Sequence, residues 1–293
     1  MMNNQTAFRL IAMALVGCAS APALAQNTTL PDPDSAAVPP MPKPGAASDW
    51  QIGLGAALAV SPVFLGSKDT SLKAAPSIDV RYKDVFFFSP FEGSGINLVR
   101  SHHFRAGPLI SFDPGRKESG KSLFQIAGKH DNSLLGLGDV KATVGLGGFA
   151  EYQIDHFSAR LRVTQAIGGD KGLIADLGAR YTTPIGEAGN RPVLFSIGPR
   201  ATVVNGKYNN AYFGVTAQQS ANSGLPLYTA KGGLQSYGVG SAFIIPVAKA
   251  VSATFAANYE RLSGDAAKAP LVVQRGSINR ASALLAFTYR FGL

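Results

Sequence analysis

Charge is scarce in this chain. Only 15% of its 293 residues are Asp, Glu, Lys or Arg, against roughly 25% in an average soluble domain. So little charge leaves a water-soluble surface of this size poorly covered. Cysteine is nearly absent: Cys18 stands alone, which excludes a disulfide framework and a clustered thiolate metal site. Also missing is any run of about 18 apolar residues, the length that a membrane helix needs. The richest internal stretch, Ala242 to Val247, is short and contains Pro246. Yet 46% of the residues are apolar. Apolar content without a hydrophobic helix fits a membrane β-barrel, which spreads its lipid face over alternate positions.

The N-terminus reads as a secretory signal. Arg9 precedes an apolar stretch from Leu10 to Val16, and Ala23-Leu24-Ala25 forms an A-x-A cleavage site. The expected mature chain begins at Gln26. An alternative lies in Leu15-Val16-Gly17-Cys18, which has the form of a lipoprotein cleavage site and would put lipid on Cys18. Residues 26–49 hold six prolines and no apolar period, the composition of an extended leader that cannot pack a core. The expected organisation is a signal peptide over 1–25, a Pro-rich periplasmic leader over 26–49 and a barrel over 50–293. The formal charge is +9, or +8 once Arg9 leaves with the signal. Basic residues are dispersed, without a block of five or six. That pattern argues against nucleic acid, and for phosphate-rich lipopolysaccharide and outer-membrane lipid or an anion-attracting lumen as the partner of the charge.

From Trp50 onward a period of two dominates. Trp50, Ile52, Leu54, Ala56 and Leu58 share one face; Leu72, Ala74, Pro76, Ile78, Val80 and Tyr82 share the next. The last strand alternates Leu285, Phe287, Tyr289 and Phe291 with Ala286, Thr288, Arg290 and Gly292. Many segments reach ten residues, which suits a tilted bilayer-crossing strand of about 9–11. Trp50, Tyr82, Tyr152, Tyr181, Tyr259 and Tyr289 stand at segment ends, where membrane–water interfaces favour aromatic rings. Eleven segments are clear: 50–60, 71–82, 84–99, 103–112, 138–153, 157–167, 172–183, 191–204, 233–247, 249–262 and 279–293. Bacterial barrels have even strand numbers, so either 84–99 is a hairpin broken near 91–95, or 210–218 adds a strand. The first is favoured, because it puts 113–137, 205–232 and 263–278 together outside the cell and both termini in the periplasm. The expected fold is all-β: a transmembrane, antiparallel, up-and-down β-barrel of about 12 strands, with 10–14 as the range.

Opposite the apolar faces lie candidate lumen-lining charges: Arg81, Arg160, Arg162, Arg180, Arg200, Asp79, Asp176, Glu151 and Glu260. Such charges fill and neutralise a modest barrel interior, or, with cations in excess, line an anion-preferring channel. Tyr212, Phe213 and Tyr228 in the 208–228 stretch are candidate extracellular loop contacts, and the same rings suit a plug packed over the barrel mouth. Of the four histidines, His102 and His103 would point to opposite faces of a strand. His130-Asp131 lies in a polar loop and would serve a hydrolase only beside a nucleophile from elsewhere. Neither HExxH nor GxSxG is present, and the glycine-rich stretches at 136–138 and 145–148 precede no plausible helix. No enzyme, cofactor or metal site is therefore expected.

The chain from about Trp50 resembles the MipA/OmpV family of Gram-negative outer-membrane proteins, named for an MltA-interacting protein. The stretches that carry the resemblance are FLGS (64–67), GSGINLV (93–99), LLGLGDV (134–140), YFGV (212–215), SGLPLY (223–228), YERLSGDAAKAPLV (259–272) and YRF (289–291). It departs in reading AKAVSA at 248–253 and in following the last aromatic with Gly292-Leu293. The resemblance implies an outer-membrane barrel that scaffolds murein remodelling, linking a murein lytic transglycosylase to a murein synthase. Against this stand a passive channel for small, chiefly anionic solutes, argued from the lumenal arginines, and an outer-membrane hydrolase using His130.

Overall fold

The structure, a computed structural model, describes residues 49–89, 93–122, 124–128, 131–169 and 171–292. The expected signal, and the leader except for Asp49, lie outside the described residues.

Long alternating segments form the wall. They are β1 (Trp50–Pro62), β2 (Thr70–Tyr82), β6 (Phe104–Asp113), β8 (Thr143–Ile154), β9 (Phe157–Ile167), β10 (Leu173–Glu187), β11 (Pro192–Val204), β12 (Gly233–Pro246), β13 (Val251–Leu262) and β14 (Asn279–Gly292). A hairpin of two short strands, β3 (Phe86–Ser89) and β4 (Gly93–Ile96), sits between β2 and β6. Each strand pairs antiparallel with its neighbours in the ring, and β14 returns to β1 over Gln51↔Gly292 to Val60↔Ala283. Twelve strands therefore close a barrel, which leaves no open edge for hydrocarbon to meet. Segment 84–99 is split, as the even count requires. The stretch 210–218 is helical instead of extended. The strand expected from residue 138 starts at Thr143, because Gly136 and Gly138 take positive φ and turn the chain first.

Two small strands lie outside the ring. β5 (Val99–Arg100) continues the line of β4 along β6, and β7 (Gln125–Gly128) pairs with the loop end of β2 at Ser71–Lys73. Both edges beside the short hairpin carry proline. The backbone N–H groups of alternate β2 residues point towards that hairpin, as Ala74 does when it donates to the Phe124 carbonyl at 2.8 Å. Pro76, two residues on, faces the same way without an N–H, and so leaves no donor stranded there.

Alternation sorts the faces. On β1, Leu54, Leu58 and Val60 point outward and are exposed, while Ala57, Ala59 and Ser61 are buried inward. The outer face continues through Leu285, Phe287 and Tyr289 of β14, and Phe255 and Tyr259 of β13. Trp50 packs on Tyr82 at a ring distance of 4.6 Å and Phe157 on Tyr181 at 4.9 Å, both at the end carrying the short turns. Those turns are 83–85, 101–103, 155–156, 188–191 and 247–250, and the described termini share their end. The remaining loops gather at the opposite end, where they fold together.

Candidate functional site: the charged lumen and its cap

Inward positions of the strands carry the candidate charges. Asp79 and Arg81 lie on β2, Glu151 on β8, Arg160 and Arg162 on β9, Asp176 and Arg180 on β10, Arg200 on β11 and Glu260 on β13. Several pair across or along the wall. Arg81 Nε lies 3.2 Å from Asp79 Oδ1, and Arg162 Nη2 lies 3.3 Å from Asp176 Oδ2. Asp176 also accepts from the Thr202 hydroxyl at 3.0 Å. Glu260 is clasped twice, by Arg200 Nε at 2.9 Å and by Arg280 Nη1 at 3.1 Å. Reasoning from the sequence did not single out Arg280, Arg105 or Lys73 for the lumen. All three sit at inward parity in strands already recognised, which was the signal available. Arg105 Nη2 reaches Asp84 at 3.0 Å, and wholly buried Lys73 donates to the Ser61 hydroxyl at 2.9 Å.

Apolar side chains share the interior. Ala57, Ala59, Ala242, Ala256 and Leu284 form one inward cluster. Phe87, Leu109 and Phe149 form another behind the short hairpin, with Phe87 edge-on to Phe149 at 5.2 Å. The lumen is thus narrowed by packed side chains on two sides, with the charged ladder along its wall.

Four loops build the cap. Loop 205–232 contains α1 (Gly206–Phe213) and α2 (Ala217–Ser223), and loop 263–278 contains α3 (Gly264–Lys268) and α4 (Pro270–Arg275). Asn205 caps α1 by accepting from the Tyr208 N–H. Thr216 and Gln219 close a reciprocal capping box on α2, the arrangement that Thr-x-x-Gln permits. Phe213, only 1% exposed, packs with Tyr212, Leu262, Ala266 and Val272. Val63, Phe64, Leu134, Leu137, Val215, Leu225 and Leu271 form a second cluster that ties all four loops together, with Tyr228 against it. Tyr212 and Phe213 are therefore interior residues of the cap, and Tyr228 turns its hydroxyl to the Asp265 carbonyl at 2.8 Å. Arg275 binds the carbonyls of Ser133 and Ser223, pinning α4 to its neighbours.

A polar knot fastens the cap to the wall. Asp113, the last residue of β6, accepts from the Tyr212 hydroxyl at 2.7 Å and pairs with buried Lys171 at 2.7 Å. Buried Arg116 donates to the Tyr212 carbonyl at 2.8 Å. Burial pushes Lys171 below its ordinary value, against the pull of Asp113. It brings Arg116 down to about 10, which still leaves the guanidinium charged at neutral pH. Burial and the neighbouring Asp113 hold the Tyr208 phenol well above its usual range; burial, Tyr208 and Asp113 do the same for Tyr212.

At the other end, His103 and His156 bond the carbonyls of Gln153 and Thr182 through Nδ1, at 2.9 and 2.8 Å. These exposed imidazoles close turns between strands, and His102 stacks edge-on to His103. His130 lies outside the described residues. Arg191 clasps the next turn through the carbonyls of Ala248 and Lys249, at 2.7 and 2.8 Å.

An apolar outer belt, a closed antiparallel ring and a charged interior under a folded cap define a transmembrane β-barrel of the outer-membrane type. The chain belongs to the MipA family: the family model described as MltA-interacting protein MipA matches residues 54–291. Among solved structures it is similar to the NanC porin, at 9% identity and a TM-score of 0.36, over 82% of this chain and 98% of that one. It is also similar to an outer membrane channel from Pseudomonas putida F1, at 10% identity and a TM-score of 0.39, over 87% of this chain and 100% of that one. Neisserial surface protein A follows at 10% identity and a TM-score of 0.26, over 84% of this chain and 98% of that one. No curated protein matches the chain.

Proposed function

We propose that this protein is an outer-membrane interaction protein whose periplasmic side engages the murein-remodelling machinery, with a lytic transglycosylase and a murein synthase as partners. The observation that carries the reading is membership of a family described as MltA-interacting. The architecture is compatible with it. A cap knitted from four loops occupies the outer mouth, so contact with the periplasm falls to the short turns and to the leader expected over 26–49. The Arg191 clasp, which holds turns 188–191 and 247–250 together, offers one firm surface there.

The test is capture of a lytic transglycosylase from solubilised envelopes by the folded mature chain. Loss of capture on exchanging those two turns or deleting 26–49, with the barrel still folded, supports the reading. Failure of the intact folded barrel to retain any murein enzyme overturns it.

A second reading, a conduit for small anions, is favoured by one observation. Inward cations on the described strands, among them Lys73, Arg81, Arg105, Arg160, Arg162, Arg180, Arg200, Arg280 and Arg290, outnumber the inward carboxylates, among them Asp79, Asp113, Glu151, Asp176 and Glu260. Low-dielectric walls lined by one excess sign concentrate the opposite ion. Conduction would require the cap to part. Replacing Arg160 and Arg162 by Ala should then shift the reversal potential in a salt gradient; an unchanged potential removes those residues from the reading.

A further inference from the structure

One rung of the barrel is unusually composed. Glu151, Arg160, Gly178, Arg200, Gly238, Glu260 and Arg280 stand directly opposite one another in succession across β8 to β14. Gly178 therefore has an arginine on each side. With strands about 4.8 Å apart, the Cα atoms of Arg160 and Arg200 are roughly 10 Å from each other. Arg180 lies two residues further along β10, on the same inward face. A Cβ added at Gly178 would meet nothing nearer than the Pro199 carbonyl oxygen at 3.9 Å, so the space above the glycine is open. A pocket of about 60 Å³ occupies it, lined by Arg160, Arg180, Arg200, Ser158, Ser196 and Glu151 among others.

We propose that this pocket is a binding site for a small, doubly charged oxyanion of the phosphate class. Two features choose the ligand. Guanidinium forks match phosphate oxygens in geometry, and the two serine hydroxyls add donors at close range. The formal charge then selects a dianion over a monocarboxylate. Arg160, Arg180, Arg200 and Arg280 face Glu151 and Glu260, and Glu260 is shared by Arg200 and Arg280, leaving two positive charges in excess. The site depends on neither reading of function. Binding is read without current and without a protein partner, so a silent bilayer or a failed capture leaves it standing.

The test is equilibrium titration of the full folded chain in detergent with inorganic phosphate, at constant ionic strength set with chloride. One saturable site is expected. Gly178→Asp, which fills and neutralises the pocket, and Arg180→Gln should each weaken it at least tenfold. Lys268→Gln, which removes one exposed charge from the cap, should leave it unchanged. Folding is checked by heat-modifiable gel mobility, and Gly178→Asp carries the test if Arg180→Gln does not fold. Competition by glycerol phosphate as strong as by phosphate supports a phosphate ester as the ligand; weaker competition supports the free anion. No saturable binding by the folded wild type, retention in both lumen variants, or an equal loss in Lys268→Gln overturns the proposal.

Discussion

The phenol of Tyr212 donates to Asp113 Oδ1 at 2.7 Å, joining the cap to the wall across 99 residues of chain. Lys171 holds the same carboxylate from loop 168–172. One acidic side chain at the rim thus anchors both a helix of the cap and a neighbouring loop. The cap is fastened to the barrel by polar bonds below and by apolar packing within.

Tyr212→Phe removes the polar bond and keeps the ring. A hydrogen bond to a charged group contributes about 1.5–3 kcal/mol. Amide exchange across 206–230 should therefore accelerate roughly 10- to 100-fold, while exchange in β8 to β14 stays unchanged. Equal acceleration throughout would mean that cap and barrel open together.

Phe213→Ala removes the packing instead. A buried phenylalanine reduced to alanine costs about 3–5 kcal/mol, enough to make the cap open by local unfolding. Limited proteolysis should cut first within 205–232 and leave the barrel intact. Resistance equal to that of wild type would show that Phe213 does not hold the cap.

Alkaline pH should loosen the cap through Tyr208. Its folded-state pKa is raised above the ordinary phenol value of 10.0, chiefly by burial and then by Asp113. Above that value the unfolded cap loses the proton while the folded one keeps it, so this contribution is complete below about pH 10 and declines as pH rises through the folded value. Lys171 and Arg116, whose values are lowered by burial, oppose the trend over their own alkaline windows. The comparison of Tyr208→Phe with wild type isolates the phenol: between pH 9 and 11 the variant should lose less cap stability, measured as the pH dependence of proteolysis. An identical slope in both proteins would contradict the assignment.

The outer face can be tested by charge. Leu58 projects outward from the middle of β1, opposite Leu285 of β14 and Ala74 of β2. In a bilayer, Leu58→Arg should cost roughly 2–4 kcal/mol, read from urea unfolding in lipid vesicles. On a water-facing surface the same change would be nearly neutral.

Most of the wall was legible because each strand has one lipid face and one wet face, which forces a strict period of two. The even-number rule also placed the break in 84–99, where Phe86 to Ser89 and Gly93 to Ile96 are too short to show a pattern of their own. The cap was less legible. The stretch 210–218 stood only as the less favoured extra strand, and α1 and α2 form across it because Asn205 and the Thr216–Gln219 box satisfy their free N–H groups. Helices this short depend on the packing around them, which the sequence alone does not display. Pairings such as Arg116 with the Tyr212 carbonyl could not be read at all, since they join loops distant along the chain. Lumen charges were legible by parity, but their partners depend on register. Arg200 meets Glu260 across Gly238 only because β11, β12 and β13 align as they do.

A folded cap closes the outer mouth of this barrel, and planar-bilayer conductance of the refolded mature chain reads that closure. The wild type should leave the bilayer silent, with folding confirmed by gel mobility, and steady salt-dependent steps should appear once 206–230 is replaced by a short linker. Steady ohmic steps from the intact wild type would contradict it.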